Sequence, residues 1–343
     1  MSKYSPFLGF LFLGGILLSG AVVSAQDSGR WTKGAPMLSE RSEAAVAEVG
    51  GKIFAVGGFG DQRGVEIYDP ALDRWSRGAP VPGPLHHAAA VGLNGKLYVI
   101  GGYGGWWKPV DSLYEYDPAG DRWRALAPMP TARGALAAVV IDGKIHAVGG
   151  TVGNRRNTPV HEMYDPASDT WSARAPVPTP RDHLAAAEVG GRFYLVGGRI
   201  DGSYARNLSA NEVYDPATDR WRTLTPLPTA RSGIAAAVLE GRIFVFGGEA
   251  TAGTFDEVES FDPKTGRWSA HARMPSARHG LGAAAVAERI YTVSGGRTPG
   301  GSASRKKSRI SRPATKSPWS AGRTSSSNAK FADINCTTRM GVS

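Results

Sequence analysis

One residue of each repeat in this chain could bind an acidic group, the residue ten positions after a recurring tryptophan. It is arginine in five of the six repeats. These arginines are Arg41, Arg133, Arg181, Arg231 and Arg278. A guanidinium group binds a carboxylate through two parallel hydrogen bonds, so a ring of arginines at the mouth of a channel would bind an acidic ligand. The alternative is a structural ion pair within each repeat, with Glu66, Glu162, Glu212 or Glu259 as the partner.

Residues that depart from the repeat are further candidates for a binding role. The second repeat has Leu85 in place of the arginine, followed by His86 and His87. The fourth repeat has His183 two positions after its arginine. A residue that repeats everywhere usually serves the scaffold, so a departure from the pattern points more directly to a function.

Two adjacent tryptophans, Trp106 and Trp107, lie in a variable loop of the second repeat together with Tyr103. Exposing such a pair to water is costly, so the loop predicts stacking on a sugar or on a protein surface. The alternative is that the loop packs against a neighbouring repeat. Other residues that break the pattern are Arg155, Arg156, Asp182 and Tyr204.

The sequence predicts no catalytic residue, no metal site and no cofactor. His86 and His87 are adjacent, and adjacent residues of a strand point to opposite faces, so we expect that they do not share an ion. The chain has no nucleophile and base at a recognisable spacing, no glycine-rich phosphate loop and no zinc signature.

The positive charge of the chain is concentrated near its C-terminus. The net charge is +10, but residues 305–343 contain nine Lys or Arg against Asp333 alone. The repeats are therefore almost neutral, and we expect no nucleic-acid partner. The single cysteine, Cys336, excludes an intrachain disulfide.

The repeat itself has a fixed frame and one variable segment. Tryptophan recurs at positions 31, 75, 123, 171, 221 and 268, and a Gly-Gly pair begins at positions 57, 101, 149, 197, 247 and 295. The spacing between the two is constant except in the last repeat, where it is one position longer. An aromatic-Asp-Pro triplet precedes each next tryptophan at a constant distance. The variation in length lies between Gly-Gly and that triplet, which indicates a rigid scaffold that presents loops.

Each repeat predicts four short strands. An alanine-rich run of about six residues is too short for a typical helix and ends in a glycine turn. An alternating apolar segment follows, then the segment with the aromatic residue, then the segment that begins at the tryptophan. Small side chains in the first strand suit the crowded centre of a ring. Six units of about 48 residues predict an all-β, six-bladed propeller.

The Gly-Gly pair, Tyr-Asp-Pro, the tryptophan and Pro-x-x-Arg together resemble the kelch repeat, over roughly residues 31–296. The resemblance implies that tryptophan and tyrosine pack between blades and that the segment from Trp31 to Pro36 closes the ring as the outer strand of the last blade. The family includes copper radical oxidases similar to galactose oxidase, which need a cysteine that these repeats lack. It also includes periplasmic sialic-acid mutarotases, whose functional residues have no match here beyond the repeat itself.

The two ends of the chain lie outside the repeat. Residues 1–25 resemble a signal peptide, with an apolar run from Phe7 to Val23 and small residues before Gln26; an uncleaved anchor is the alternative. The propeller is predicted over residues 26–302. Residues 303–343 are predicted to be a disordered basic tail or the product of a reading-frame error, because no third strand of the sixth blade is recognisable there. The last repeat also has one extra residue before its Gly-Gly pair.

These features predict a secreted or periplasmic binding protein that uses the Arg-lined face and the loops between the second and third strands. We expect a monomer without stable membrane insertion after signal cleavage, whose partner is a protein or an acidic or neutral carbohydrate. The alternative is a mutarotase or epimerase that acts on an acidic sugar at the same face. The ten predicted ligand-binding residues are the five arginines with His86, His87, Trp106, Trp107 and His183.

Overall fold

The computed structural model describes residue 1 and residues 30–300 and 330–334. It is an all-β propeller in which six four-stranded sheets surround a central axis, as predicted. The first strand of the described residues, β1 (Arg30–Lys33), closes the last blade. The alanine-rich runs form the innermost strands, which contact one another in a closed ring from the first blade to the sixth. Small side chains permit this approach at the centre.

Five blades are antiparallel meanders in which chain order and spatial order agree. Blade one contains β2 (Ala45–Val49), β3 (Lys52–Val56), β4 (Val65–Asp69) and β5 (Arg74–Gly78). Blade two contains β6 (Ala89–Leu93), β7 (Lys96–Ile100), the short loop hairpin β8 (Tyr103–Gly104) and β9 (Lys108–Pro109), then β10 (Leu113–Asp117) and β11 (Arg122–Ala125). Blade three contains β12 (Ala137–Ile141), β13 (Lys144–Val148), β14 (His161–Asp165) and β15 (Thr170–Ala173).

Blades four and five repeat the same order. Blade four contains β16 (Ala185–Val189), β17 (Arg192–Val196), β18 (Asn211–Asp215) and β19 (Arg220–Thr223). Blade five contains β20 (Ala235–Leu239), β21 (Arg242–Phe246), the loop hairpin β22 (Glu249–Ala250) and β23 (Gly253–Thr254), then β24 (Val258–Asp262) and β25 (Arg267–Ala270). Single 3-10 turns, Gly153–Arg155 and Tyr204–Arg206, lie in the corresponding loops of blades three and four. In the described part of the chain, no helix is long and apolar enough to cross a membrane.

The sixth blade is a mixed sheet made from both ends of the described chain. It contains β26 (Gly282–Val286), β27 (Arg289–Val293), β28 (Lys330–Asp333) and β1. The predicted closure by the N-terminal strand is therefore confirmed. The third strand, β28, runs parallel to both of its neighbours. Residues 330–333, which we assigned to the basic tail, thus lie in the blade. The signal peptide at 2–25 and the tail at 303–329 and 335–343 lie outside the described residues.

The expected extra residue in the sixth repeat is not present. The separation from Arg278 to Ser294 equals that from Arg231 to Gly247. Ser294 (φ 61°) and Gly295 (φ 106°) occupy the places of the Gly-Gly pair in the other blades. The register is therefore unbroken. The sixth repeat looked one residue longer because Ser294 takes the first glycine position, and the visible Gly-Gly pair, Gly295 and Gly296, lies one residue later.

Recurring aromatic residues join each blade to the one before it, as the family resemblance implied. The Trp171 indole donates to the carbonyl of Ala127 in the preceding blade at 2.8 Å. The Tyr164 hydroxyl donates to Asp169, which also accepts the Ala127 N–H. Equivalent tryptophan contacts of 2.8–3.0 Å occur at the other five blade boundaries. This frame holds the loops between the second and third strands in place.

Candidate functional site

A closed ring of backbone hydrogen bonds surrounds the axis beneath these loops. One residue of each blade donates its N–H to the carbonyl of its equivalent in the preceding blade, at 2.7–3.1 Å. The six residues are Glu43, His87, Ala135, His183, Gly233 and Gly280. All six have φ between 52° and 64°, which favours glycine. A side chain at such a position is strained, and strained positions cluster at binding and catalytic sites. Glu43, His87 and His183 are therefore brought together, although they come from three different blades.

The arginines do not line this opening. Arg133, Arg181 and Arg231 have no exposed surface, and Arg41 and Arg278 are 4% and 2% exposed. Each pairs with a carboxylate from the third strand of its own blade. These partners are Glu66, Glu162, Glu212, Glu259 and Asp333. The expected guanidinium-lined mouth is thus replaced by a ring of buried ion pairs, because each guanidinium also satisfies backbone carbonyls inside its blade. Leu85 is buried in the corresponding place of blade two.

A pocket of about 320 Å³ opens above the ring. The lining whose side chains are buried, here called the floor, consists of Glu43, His87, Tyr103, Thr151, Asp182, His183, Arg199 and Glu249. Its exposed or half-exposed lining, here called the rim, includes Trp107, Asn154, Arg155 and Tyr204. The volume lies at the lower end of the range typical of small-molecule sites. The pocket therefore has aromatic and cationic groups at its opening and charged groups at its base.

Arg199 organises one side of the floor. Its guanidinium contacts Asp182 at 3.1 Å and Glu249 at 2.6 Å, and it lies 4.5 Å from the centre of the Tyr204 ring. Burial alone would raise the pKa of Asp182, but the hydrogen bond from His183 and the charge of Arg199 lower it to about 2. Although burial opposes the charged form of Arg199, the two carboxylates raise the pKa of its guanidinium. Both groups are therefore charged at neutral pH.

The hydrogen bonds of His183 define its tautomer. Its Nδ1 lies 2.5 Å from the Asp182 carboxylate, and its Nε2 lies 2.9 Å from an Arg199 nitrogen. An arginine can only donate, so Nε2 accepts and the proton is on Nδ1. Asp182 thus fixes the orientation of the ring, while the Arg199 N–H occupies the nitrogen that a general base would use, so His183 can act as a base only when Arg199 moves away from it.

His86 and His87 lie close together, contrary to our expectation from strand geometry. Their Nδ1 atoms are 2.7 Å apart, because the positive φ of His87 (54°) turns its side chain back. Both rings are buried, and burial lowers the pKa of each. His87 Nε2 faces a Glu43 oxygen at 3.5 Å, whereas the His86 ring stacks on Phe59. Of the two, only His87 lines the pocket.

The tryptophan pair is divided between two environments. Trp107 is 38% exposed and packs on Tyr103 and both histidines at ring-centre distances of 5.0–5.1 Å. The Arg155 guanidinium lies 5.7 Å above its ring. Trp106 is 94% exposed and does not line the pocket. Trp107 therefore packs against other side chains, as in the alternative in which the loop is packed on the propeller. Its exposed part is still accessible to a ligand.

Four floor residues were missed by the sequence analysis: Glu43, Thr151, Arg199 and Glu249. Glu43 stands at the ring position that holds His87 and His183 in other blades, so alignment of the repeats could have identified it. Arg199 and Glu249 each follow the Gly-Gly pair of their blade directly. His279, next to Arg278, approaches Glu43 and Glu249 at 3.2 and 3.1 Å. Burial lowers the pKa of His279, but these two carboxylates raise it above its usual value.

Comparisons with known proteins agree with the fold. The family model described as the KLHDC2/KLHL20/DRC7 Kelch-repeats domain matches residues 43–226 and 173–308. The solved structure titled "Structure of YjhT" is similar with a TM-score of 0.68 and 18% sequence identity, over 78% of this chain and 93% of that chain. At this identity the likeness shows the fold alone. No curated protein matches the chain. The chain belongs to the kelch-repeat family of β-propellers.

Proposed function

We propose that this propeller is a binding protein for a small carbohydrate, which it holds in the pocket above the ring. The observation that carries the proposal is the combination of aromatic rings at the rim with a buried floor of hydrogen-bonding groups. Sugars present apolar faces that stack on Trp107 and Tyr204, and hydroxyl groups that both donate and accept hydrogen bonds. The volume of about 320 Å³ suits one or two sugar rings.

The charges in the pocket favour a neutral sugar at the floor. Three carboxylates, Glu43, Asp182 and Glu249, lie there with the single guanidinium of Arg199, which two of them already engage. An acidic group placed among them would meet net negative charge. A ligand carboxylate would instead turn to Arg155 at the rim, where the guanidinium is exposed. The arginines of the blades take no part, because they are buried in ion pairs.

The experiment is ligand-detected NMR on the mature chain from Gln26, with neutral monosaccharides and disaccharides, uronic acids and sialic acid. Trp107→Ala and Trp106→Ala form a matched pair, since only Trp107 lines the pocket. Trp107→Ala should weaken sugar binding by roughly 10- to 30-fold, the size of a stacking anchor. Trp106→Ala should change it less than twofold. If both variants weaken binding equally, the loop acts through its surface and the pocket proposal fails.

A sugar mutarotase or epimerase is the second candidate, and the Asp182–His183 pair favours it. An imidazole held by a carboxylate can take a proton from a sugar hydroxyl at Nε2 once the ligand draws the Arg199 N–H away from that nitrogen. Arg199, which contacts both residues, would stabilise the charge that develops. NMR exchange between anomers tests this candidate. Exchange should be faster than in buffer, and His183→Gln should abolish the acceleration while sugar binding remains.

We further propose that the protein acts as a monomer outside the cytoplasm, in the periplasm or secreted. The apolar N-terminal run followed by small residues supports export, and the lack of cysteine before Cys336 leaves stability to packing alone. Fractionation of cells that express the full chain tests this, with mass spectrometry of the mature N-terminus. A chain that begins at Gln26 in the exported fraction is the expected result; a full-length chain retained in the membrane would favour the uncleaved anchor.

A further inference from the structure

The buried histidine beside the ring, His279, is the observation from which this inference starts. The residue is 1% exposed, and neither ring nitrogen has a hydrogen-bond partner of acceptable geometry. Yet Nδ1 lies 3.2 Å from a Glu43 oxygen and 3.1 Å from a Glu249 oxygen. The His279 nitrogen and the two carboxylate oxygens therefore lie close together, but their geometry is not that of a hydrogen bond. A buried polar group without a partner is costly, so the arrangement requires a physical explanation.

These distances match the spacing of ligands around one metal ion. Zinc binds imidazole nitrogen and carboxylate oxygen at about 2.0–2.2 Å, so neighbouring ligands of a tetrahedral site lie roughly 3.4 Å apart. Ligand atoms of Glu43, Glu249 and His279 all lie within 4.8 Å of one another. We propose that these three residues bind a divalent transition-metal cation at the floor of the pocket. Nitrogen and oxygen donors of this kind suit Zn²⁺, Mn²⁺ or Fe²⁺.

The surroundings of the three residues support a cation. The floor carries three carboxylates against one guanidinium, so a divalent charge would offset an excess of negative charge. Arg199 donates to the other oxygen of Glu249 at 2.6 Å, and the Gly300 N–H donates to Glu249 Oε2 at 2.9 Å. Such contacts orient a ligating carboxylate. His279 itself is held because its backbone pairs with Gly296 across the loop.

The site also has an entry path and an open side. Glu43 and Glu249 line the pocket, whereas His279 lies behind them. A cation can therefore enter through the pocket and keep one coordination position toward it, as catalytic and ligand-binding sites do. If the proposed sugar binding is correct, that position would accept a sugar hydroxyl. This last step rests on the proposed function, but the metal site does not.

A second group of three residues, Glu43, His87 and His183, also meets the distance requirement. It is the weaker candidate because His183 has no free nitrogen. Asp182 holds the proton on Nδ1, and an Arg199 N–H already occupies Nε2 at 2.9 Å. A cation there would have to displace a guanidinium, which carries the same sign of charge. The group with His279 requires no such displacement.

Isothermal titration of the chelator-treated mature chain with Zn²⁺ and with Mn²⁺ tests the proposal, without any sugar. One ion per chain should bind. Glu249→Gln and His279→Ala should each weaken binding at least 100-fold, with circular dichroism as the test of folding. His183→Gln should change it less than threefold. Loss of binding in His183→Gln but not in His279→Ala would move the site to the other group and overturn the assignment.

A wild-type measurement makes the result independent of the variants. Imidazole resonances of His279 should shift or broaden on addition of Mn²⁺ before those of His146, which does not line this pocket. If no metal binds and His279 titrates as an imidazolium between two carboxylates, the group is a buried ion cluster and the proposal is overturned. Trp107→Ala should retain metal binding while it loses the sugar, so that the two proposals can fail separately.

Discussion

Replacement of Arg231 by methionine tests whether the recurring arginines stabilise the blades or bind a ligand. The Arg231 guanidinium donates to the carbonyls of Gly247, Thr229 and Val245 at 2.8, 3.0 and 3.3 Å and pairs with Glu259. Arg231 has no exposed surface and Glu259 is 6% exposed. Methionine would leave a buried carboxylate without its cation. Breaking a buried pair in this way costs about 3–5 kcal/mol.

The size of the effect follows from the length of the domain. For a large domain, 1 kcal/mol lowers the melting temperature by about 2–4 °C, so Arg231→Met should lower it by roughly 6–20 °C. The double variant Arg231→Met with Glu259→Leu removes both charges. It should recover at least about 2 kcal/mol, because apolar groups of similar volume often replace a buried pair at little cost.

Urea unfolding followed by circular dichroism measures both variants, and ligand-detected NMR measures sugar binding beside it. Arg231 lies away from the pocket, so binding by the folded fraction should not change. A loss below about 1 kcal/mol together with weakened binding would refute our interpretation. The arginines would then face a ligand, as the spacing of the repeats first suggested.

Three further changes test other parts of the frame. Gly57→Ala should cost about 2 kcal/mol more than Gly50→Ala, because both have positive φ but only the β-carbon at 57 would collide with backbone. Phe331→Ala should cost about 3–5 kcal/mol, since the ring is fully buried in blade six; an unchanged melting temperature would remove that strand from the blade. The hydrogen bond from the Tyr164 hydroxyl lowers the pKa of Asp169 in the folded protein. The ionised Asp169 carboxylate therefore stabilises the fold above the pKa of an unfolded aspartate, about 4, and this stabilisation is lost as the pH falls through the lower pKa of the folded state. Melting temperatures between pH 5 and 2 should therefore fall less steeply in Asp169→Asn.

The frame of the propeller was predictable because the same turns and packing contacts recur in each blade and depend on residues close in sequence. Tryptophan, the Asp-Pro turn and the glycine pair recur in phase, and each has a local cause such as positive φ at Gly57. The ring closure by Trp31 was implied by the resemblance to the kelch repeat, because the first tryptophan has no blade before it. The third strand of blade six was not predictable, because Phe331 pairs with residues near both ends of the described chain and carries no repeat signature.

The candidate site was predicted only in part. His87, Trp107 and His183 were recognised because they break the repeat, and all three line the pocket. The alternative for the arginines, a structural ion pair, was also predicted, because a glutamate recurs in the third strand of most repeats. Which of the two held could not be decided from the sequence, because the direction of a side chain depends on the backbone around it.

The amino-acid sequence by itself determined the repeat, the number of blades and the face on which the variable loops lie, since spacing and turn chemistry act locally. Only the tertiary structure decided which side chains meet. Glu43 and Glu249 belong to blades one and five, and they approach the same histidine because the ring closes and brings equivalent positions to one axis. Burial likewise decided that the arginines serve the blades, because a charged group inside the sheet is stable only beside its partner.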